Sequence, residues 1–186
     1  MLDKDFYIKN GLIYGIASIV YLMVTYLMGI SAMTSMWNSL IQFLVFLGLF
    51  IYIGLEARKI FGGYMSFSDA FKSIFLSFAL GAFLYLLFNF VLNTMIDPAL
   101  PGKLFDSGME TAISMMEKFG MGENEIEKVY DEMISKKEEV YDSFTLGGFF
   151  LSYVYFLLFG AIGAAIAGAI TKKNNPNPFA EVENNA

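Results

Sequence analysis

Four long apolar segments alternate with polar ones along the 186 residues of this chain. They cover residues 11–30, 37–55, 71–95 and 147–170. Lys72, at the start of the third segment, is the one charged residue in any of them. A helix rises about 1.5 Å per residue and a bilayer core is about 30 Å thick, so about 20 apolar residues are needed to cross it. The pattern predicts an all-α integral membrane four-helix bundle, with spans at about 11–30, 37–60, 67–95 and 147–170.

Composition supports this class and excludes several chemistries. Hydrophobic types make up 56% of the chain and charged types 16%, which is too apolar for a soluble domain of this size. The chain contains no cysteine and no histidine. Disulfides, thiolate metal sites, cysteine nucleophiles and the usual general base at neutral pH are therefore excluded. Since the spans also lack the buried charges that mark most intramembrane sites, we expect no enzyme activity, cofactor or metal.

Basic residues border the apolar segments in a pattern that predicts orientation. They lie before the first segment, between the second and third, and after the fourth: Lys4, Lys9, Arg58, Lys59, Lys72, Lys172 and Lys173. Cytoplasmic ends of spans are enriched in Lys and Arg. Both termini are therefore predicted to be cytoplasmic. The polar tail, 172–186, is predicted to be disordered.

The connection before the last span carries most of the charge. Residues 97–143 contain twelve acidic residues and five lysines, a net charge of −7 in a chain whose total is −6. Its apolar residues recur at helical spacing: Phe105, Met109, Ala112, Met116 and Phe119, then Ile126, Val129, Tyr130, Met133, Ile134, Val140 and Tyr141. Gly120 and Gly122 separate the two sets. We therefore predict an amphipathic helical hairpin over 102–142, outside the membrane.

Three interpretations of this hairpin stay open. It could bind a protein partner, cap the bundle, or pack on itself as a solvated element. Its negative charge disfavours nucleic acid. Carboxylate pairs such as Asp131–Glu132 could bind a cation, but the spacing of a calcium loop is missing.

Small residues recur at every fourth position in three spans. These are Gly11 and Gly15 in the first span, Ser73, Ser77 and Gly81 in the third, and Gly160, Ala164 and Gly168 in the fourth. Lipid supplies no hydrophobic drive between helices, so close packing depends on small side chains. The pattern predicts tight packing in the cytoplasmic half. Packing within one chain is favoured over packing between copies in a homo-oligomer.

Four polar side chains are expected at similar depth near the other membrane surface: Tyr26, Gln42, Asn89 and Tyr153. Gln42 follows the start of the second span by five residues, about 8 Å of helix. We expect a hydrogen-bonded layer that joins the helices. A polar vestibule of a transporter is the alternative.

The connection between the second and third spans has a helix-break-helix signature. Gly62 or Gly63 is expected to end one helix, and Ser66 with Asp69 forms a capping box for the next. A phosphate site at these glycines is disfavoured because the lysine spacing of a P-loop is missing.

The chain resembles a known family at this joint and beyond it. The resemblance is carried by residues 62–67, by Ala70-Phe71-Lys72, by residues 121–127, and by the Gly/Ala-rich last span that ends at Lys172-Lys173. It is similar to the bacterial membrane proteins grouped as domain of unknown function 4199, found mainly in the Bacteroidetes lineage. The resemblance implies four spans in the bacterial inner membrane, and it supplies neither an activity nor catalytic residues.

Two functions are consistent with these observations. The favoured one is a non-enzymatic structural or interaction component whose hairpin, 102–142, contacts a partner. The alternative is a small transporter or channel subunit that uses the polar layer.

Overall fold

The structure, a computed structural model, describes residues 2–176. These residues form the helices α1 (Lys4–Met28), α2 (Ile30–Thr34), α3 (Met36–Ile60), α4 (Phe67–Val91), α5 (Leu100–Lys118), α6 (Glu123–Ser135), α7 (Glu139–Asp142) and α8 (Leu146–Thr171). A π-helical turn, Leu92–Ile96, extends α4. Extended α4, α1, α3 and α8 are each long and apolar enough to cross a membrane. The protein is therefore an all-α, multi-pass membrane protein, as the apolar segments predicted.

The first span begins earlier than its apolar segment. α1 starts at Lys4 because Asp3 caps it, accepting a hydrogen bond from the Lys4 backbone N–H at 2.6 Å. Asp5 adds a negative charge to the first turn, where it suits the helix dipole. α1 ends at Gly29, whose φ of +100° is unfavourable for other residues. Capping groups, rather than hydropathy, thus set both ends of this helix.

α4 is the central helix of the bundle and contacts α1, α3 and α8. It runs parallel to α1, because Gly11 lies against Ser77 and Leu80 while Gly15, one turn on, lies against Gly81. The helices α1, α4 and α8 therefore form a layer, and α3 packs across α4 and α8. We call the side that holds the start of α1 and the end of α8 the terminal side, and the other the hairpin side.

The main core lies between these four helices, nearer the terminal side. Tyr14, Phe50 and Phe78 form its aromatic centre, with ring centroids 5.1–5.6 Å apart. Large apolar side chains such as Leu27 and Phe159 stay exposed on the outer surfaces of the spans. Exposure of this kind suits a helix in lipid, because acyl chains are as apolar as leucine.

The start of the predicted disordered tail is paired with the second connection. Met65 and Lys173 exchange two backbone hydrogen bonds, of 2.8 and 2.9 Å. Lys173 also places its Nζ 5.3 Å from the centre of the Tyr64 ring. The prediction of disorder is therefore wrong at Lys173. Where the chain leaves α8, the backbone N–H and C=O groups of Met65 lie within hydrogen-bonding distance of it. Residues 177–186 of that tail lie outside the described residues.

Candidate functional site

The helices of the predicted hairpin 102–142 are α5, α6 and α7. α5 and α6 run antiparallel, since Asp106 in α5 pairs with Lys137 just beyond α6. Gly120 makes the turn between them at φ +76°, a conformation that favours glycine. The Tyr141 hydroxyl lies beside Gly102, where a Cβ would come within 2.6 Å of it. These contacts keep one register along the pair.

Polar contacts hold the base of the hairpin to the bundle. The Tyr26 hydroxyl of α1 donates to the Asp97 carboxylate at 3.4 Å, and the Lys103 Nζ lies 3.1 Å from the same carboxylate. The hydroxyls of Thr34 and Ser107 lie 2.8 Å apart. α5 therefore has a defined position on the ends of α1 and α2.

An apolar contact reinforces this attachment. Leu22 of α1, Leu92 of the π-helical turn and Leu100 of α5 form a second buried cluster, in which Leu92 and Leu100 are fully buried. Three elements thus meet at the base of the hairpin. Burial of a leucine side chain contributes roughly 1.5–3 kcal/mol, so this cluster outweighs the surface hydrogen bonds around it.

An ion pair closes the hairpin. The Lys137 Nζ donates to the Asp106 carboxylate at 2.6 Å and lies 5.9 Å from the centre of the Phe105 ring. The hydrogen bond to Asp106 holds the pKa of Lys137 above its ordinary value of 10.5. The pair is solvent-exposed, so salt should weaken it.

The apolar face of α6 is incompletely covered. None of the residues of α6, Glu123–Ser135, is buried. Tyr130 and Ile134 expose 41% and 40% of their surface, and Phe119 at the tip of the hairpin exposes 83%. An amphipathic helix ordinarily buries its apolar stripe against a neighbour. The contacts of α6 with α5 therefore leave Tyr130 and Ile134 exposed.

Most acidic residues of the hairpin are unpaired. Of the twelve in 97–143, Asp97 and Asp106 form ion pairs within the described residues. Across 2–176 no three acidic side chains converge into a group that could hold a metal. The free carboxylates therefore surround the apolar face as separate solvated charges.

The small residues of the first and third spans lie at the contact between α1 and α4. A Cβ built on Gly11 would lie 2.9 Å from the Ser77 carbonyl oxygen, and one on Gly15 would lie 3.0 Å from that of Gly81. Ser73 and Ser77 are buried on the same helix, and each hydroxyl donates to the carbonyl four residues earlier. The two backbones therefore touch along this seam, leaving no room for a passage.

The small residues of the fourth span lie against α4. The Phe78 ring covers Gly160 so closely that any Cβ there would overlap it. Ala164 is fully buried, and a Cβ on Gly168 would lie 3.4 Å from the Phe71 backbone nitrogen. Gly160 and Gly168 thus lie against α4.

The predicted polar layer does not form. Within the described residues, no hydrogen bond joins any two of Tyr26, Gln42, Asn89 and Tyr153. Tyr26 bonds to Asp97, and the Tyr153 hydroxyl instead reaches the Ala79 carbonyl at 2.9 Å. Asn89 accepts a hydrogen bond from Asn93 on its own helix, at 3.2 Å. The prediction is wrong because similar depth does not make side chains point toward one another.

Buried polar groups missed from the sequence lie elsewhere. Asn10 is fully buried and donates to the Phe6 carbonyl at 3.0 Å, while its Oδ1 has no donor within the described residues. Tyr21 donates to the Asn38 Oδ1 at 2.5 Å and joins α1 to α3. The spacing of Phe6, Asn10 and Tyr14, four residues apart, is the signal that places Asn10 on the buried face.

The joint between α3 and α4 has the predicted caps. Gly62 and Gly63 adopt φ of +73° and +91°, and their N–H groups donate to the Lys59 and Arg58 carbonyls, which is a Schellman ending. Ser66 caps α4 by accepting from the Asp69 N–H at 3.1 Å. The Ser66 hydroxyl donates in turn to the Asp69 carboxylate at 2.6 Å. The two glycine N–H groups and the Ser66–Asp69 pair are therefore bonded within the joint.

A model of one protein family matches residues 9–173, and its description is "Protein of unknown function (DUF4199)". The match covers most of the chain, which therefore belongs to this family. No curated protein and no solved structure matches the chain.

Proposed function

We propose that this DUF4199 protein is a non-enzymatic membrane component whose acidic helical hairpin binds a protein partner. The half-exposed apolar stripe of α6 carries the proposal, since it is the least covered amphipathic surface of the hairpin. The base of the hairpin is held to the bundle by the Leu22, Leu92 and Leu100 cluster. An exposed apolar helix face that is held in a fixed position is the kind of surface on which a partner helix can dock.

The charge around this stripe indicates the chemistry of the partner. Carboxylates without an ion pair border the apolar positions of α6, and segment 97–143 carries a net charge of −7. A partner helix with an apolar stripe and Lys or Arg at its edges would match both features. Complementary charge would speed association and reject acidic proteins.

We place both termini in the cytoplasm of a bacterial cell and the hairpin on the other side of the inner membrane. Lysines on the terminal side support this orientation: Lys4, Lys59, Lys72 and Lys172 have no carboxylate within 4.0 Å among the described residues. Free cations at membrane ends favour the cytoplasmic side. The hairpin side carries the acidic segment instead.

The geometry of the spans argues against the transport alternative. The predicted polar layer, its proposed entrance, is replaced by separate hydrogen bonds. Backbone contact between Gly11 and Gly81 leaves no space along the seam that holds Ser73 and Ser77. A solute path along this seam would need to part α1 and α4.

Site-specific photocrosslinking in native membranes tests the partner directly. A benzoylphenylalanine at Tyr130 lies on the apolar stripe, and one at Lys128 lies on the opposite face of the same helix. We expect a discrete crosslinked product from position 130 and none from position 128. Ile134→Ser should weaken that product while insertion is unchanged. Equal labelling from both faces would contradict the proposal.

A further inference from the structure

A cavity of about 390 Å³ opens between α3 and α8. Its walls include Phe43, Leu47, Phe159 and Gly163, and its floor is formed by Tyr14 and Phe78, which are each 2% exposed. The volume falls in the range of about 300–1,000 Å³ that is usual for small-molecule sites. Every lining residue is apolar except Tyr14. The cavity is therefore suited to an apolar guest.

Two opposed packing features create this space. Near the terminal side α3 and α8 are in close contact, since a Cβ on Gly54 would lie 2.5 Å from the Thr171 hydroxyl oxygen. Further along, Gly160 and Gly163 line the gap between the helices. The Phe78 and Phe50 rings cover these glycines from one side. The other side is left open.

The opening faces lipid. Phe43 lies seven residues into α3, about 10 Å from its hairpin-side end, and Phe159 lies thirteen residues into α8, about 20 Å from its end. Both depths are inside a hydrocarbon layer of about 30 Å. Phe43, Phe159 and Ile162 at the rim are 56%, 75% and 60% exposed. What meets this opening in a membrane is an acyl chain.

We propose that this cavity is a binding site for one acyl chain of a membrane phospholipid, held between α3 and α8 against Tyr14 and Phe78. The width of the guest follows from the volume. A helix is at least about 10 Å across, so about 390 Å³ would take in only about one turn of it. A thin, flexible hydrocarbon chain fills such a space without exposing a polar backbone.

Native mass spectrometry of the full chain, released into mild detergent from phosphatidylethanolamine and phosphatidylglycerol vesicles, measures the bound lipid. We expect the wild type to retain one phospholipid. Gly163→Leu should lose it, because the new side chain presses on the Phe50 ring, 2.8 Å from a Cβ at this position, and narrows the cavity that both residues line. Gly48→Leu is the matched control: Gly48 lies on α3 with no atom within 4 Å of an added Cβ, and this variant should keep the lipid. Equal retention in all three folded proteins would overturn the proposal.

A second measurement does not depend on the folding of Gly163→Leu. In a Trp37→Phe background, Phe43→Trp puts a tryptophan at the cavity rim, and Val20→Trp puts one on a lipid-facing surface of α1 at similar depth. The two native side chains are 56% and 55% exposed. Both should be quenched in vesicles of dibrominated-acyl phosphatidylcholine. After transfer to lipid-free detergent, position 43 should stay quenched while position 20 recovers. Recovery at both positions would overturn the proposal.

Discussion

Gly81 and Gly11 bring α4 and α1 into backbone contact: a Cβ built on Gly81 would lie 2.5 Å from the Gly11 carbonyl oxygen. Gly81→Ala should therefore destabilise the bundle by about 1–3 kcal/mol, as overpacking of a tight contact does. The measurement is thermal unfolding in mild detergent. Gly48→Ala is the control, because its added methyl group meets no atom within 4 Å. Similar melting temperatures for the two variants would show that the helices do not touch here.

Asn10 should be replaceable by a residue of similar size without loss of stability. Its buried Oδ1 has no donor in the described part of the chain, and an unsatisfied buried polar group costs about 1–3 kcal/mol. Asn10→Leu is expected to leave the melting temperature unchanged or raise it. Asn10→Asp should lower it, because a buried charge would be unpaired.

Asn38 provides the contrast to Asn10. Its Oδ1 accepts a hydrogen bond from the Tyr21 hydroxyl, and its Nδ2 donates to the Met33 carbonyl. Asn38→Leu should therefore destabilise the protein by about 1 kcal/mol or more in the same melting assay. If Asn10→Leu proved the more damaging change, a bound water or another donor would have to satisfy the Asn10 oxygen.

The cap of α4 should contribute measurably to stability. Ser66→Ala removes the oxygen that accepts from the Asp69 N–H, and loss of such a cap costs about 1 kcal/mol. Ser68→Ala, an exposed change two residues later in the same helix, is the control. Denaturation in detergent should separate the two variants. An effect of Ser66→Ala no larger than that of Ser68→Ala would mean that the cap makes no measurable contribution to the stability of the protein.

The contact between α5 and α6 should weaken at high pH. The hydrogen bond to Asp106 raises the pKa of Lys137 in the folded protein above 10.5. The stabilisation by this pair is therefore complete below pH 10.5 and is lost as the pH rises through the raised value. Rate-corrected hydrogen exchange of α6 should show faster opening in that window. Lys137→Met should abolish the pH dependence and Lys136→Met, an exposed neighbour, should keep it.

Orientation can be read with single cysteines, because the chain contains none. With both termini cytoplasmic, Glu127→Cys in α6 should react with a membrane-impermeant maleimide once the reagent reaches the periplasm. Lys172→Cys should react only after the inner membrane is permeabilised. The reverse pattern would invert the topology, and labelling of both in intact inner membranes would indicate mixed insertion.

Particular residues show why some predictions succeeded. Ser66, Asp69, Gly62 and Gly63 act on neighbours within five residues of themselves, so their roles follow from local sequence. The polar layer required Gln42, Asn89, Tyr26 and Tyr153 to share a direction as well as a depth. Depth follows from counting residues along a span. Direction depends on how each helix is rotated about its axis. Because these helices carry apolar residues on all sides, the sequence does not show which side faces the other helices.

The sequence by itself determined the number of spans and their approximate positions. It could do so because the bilayer imposes a length and a hydropathy on each helix separately. The tertiary structure decided that α4 is central, that Asn10 is buried without a partner for its Oδ1, and that α3 and α8 part to form an apolar cavity. These features depend on shape complementarity between helices. In a membrane, positions that face lipid and positions that face another helix are both apolar, so the hydrophobic pattern does not predict that fit.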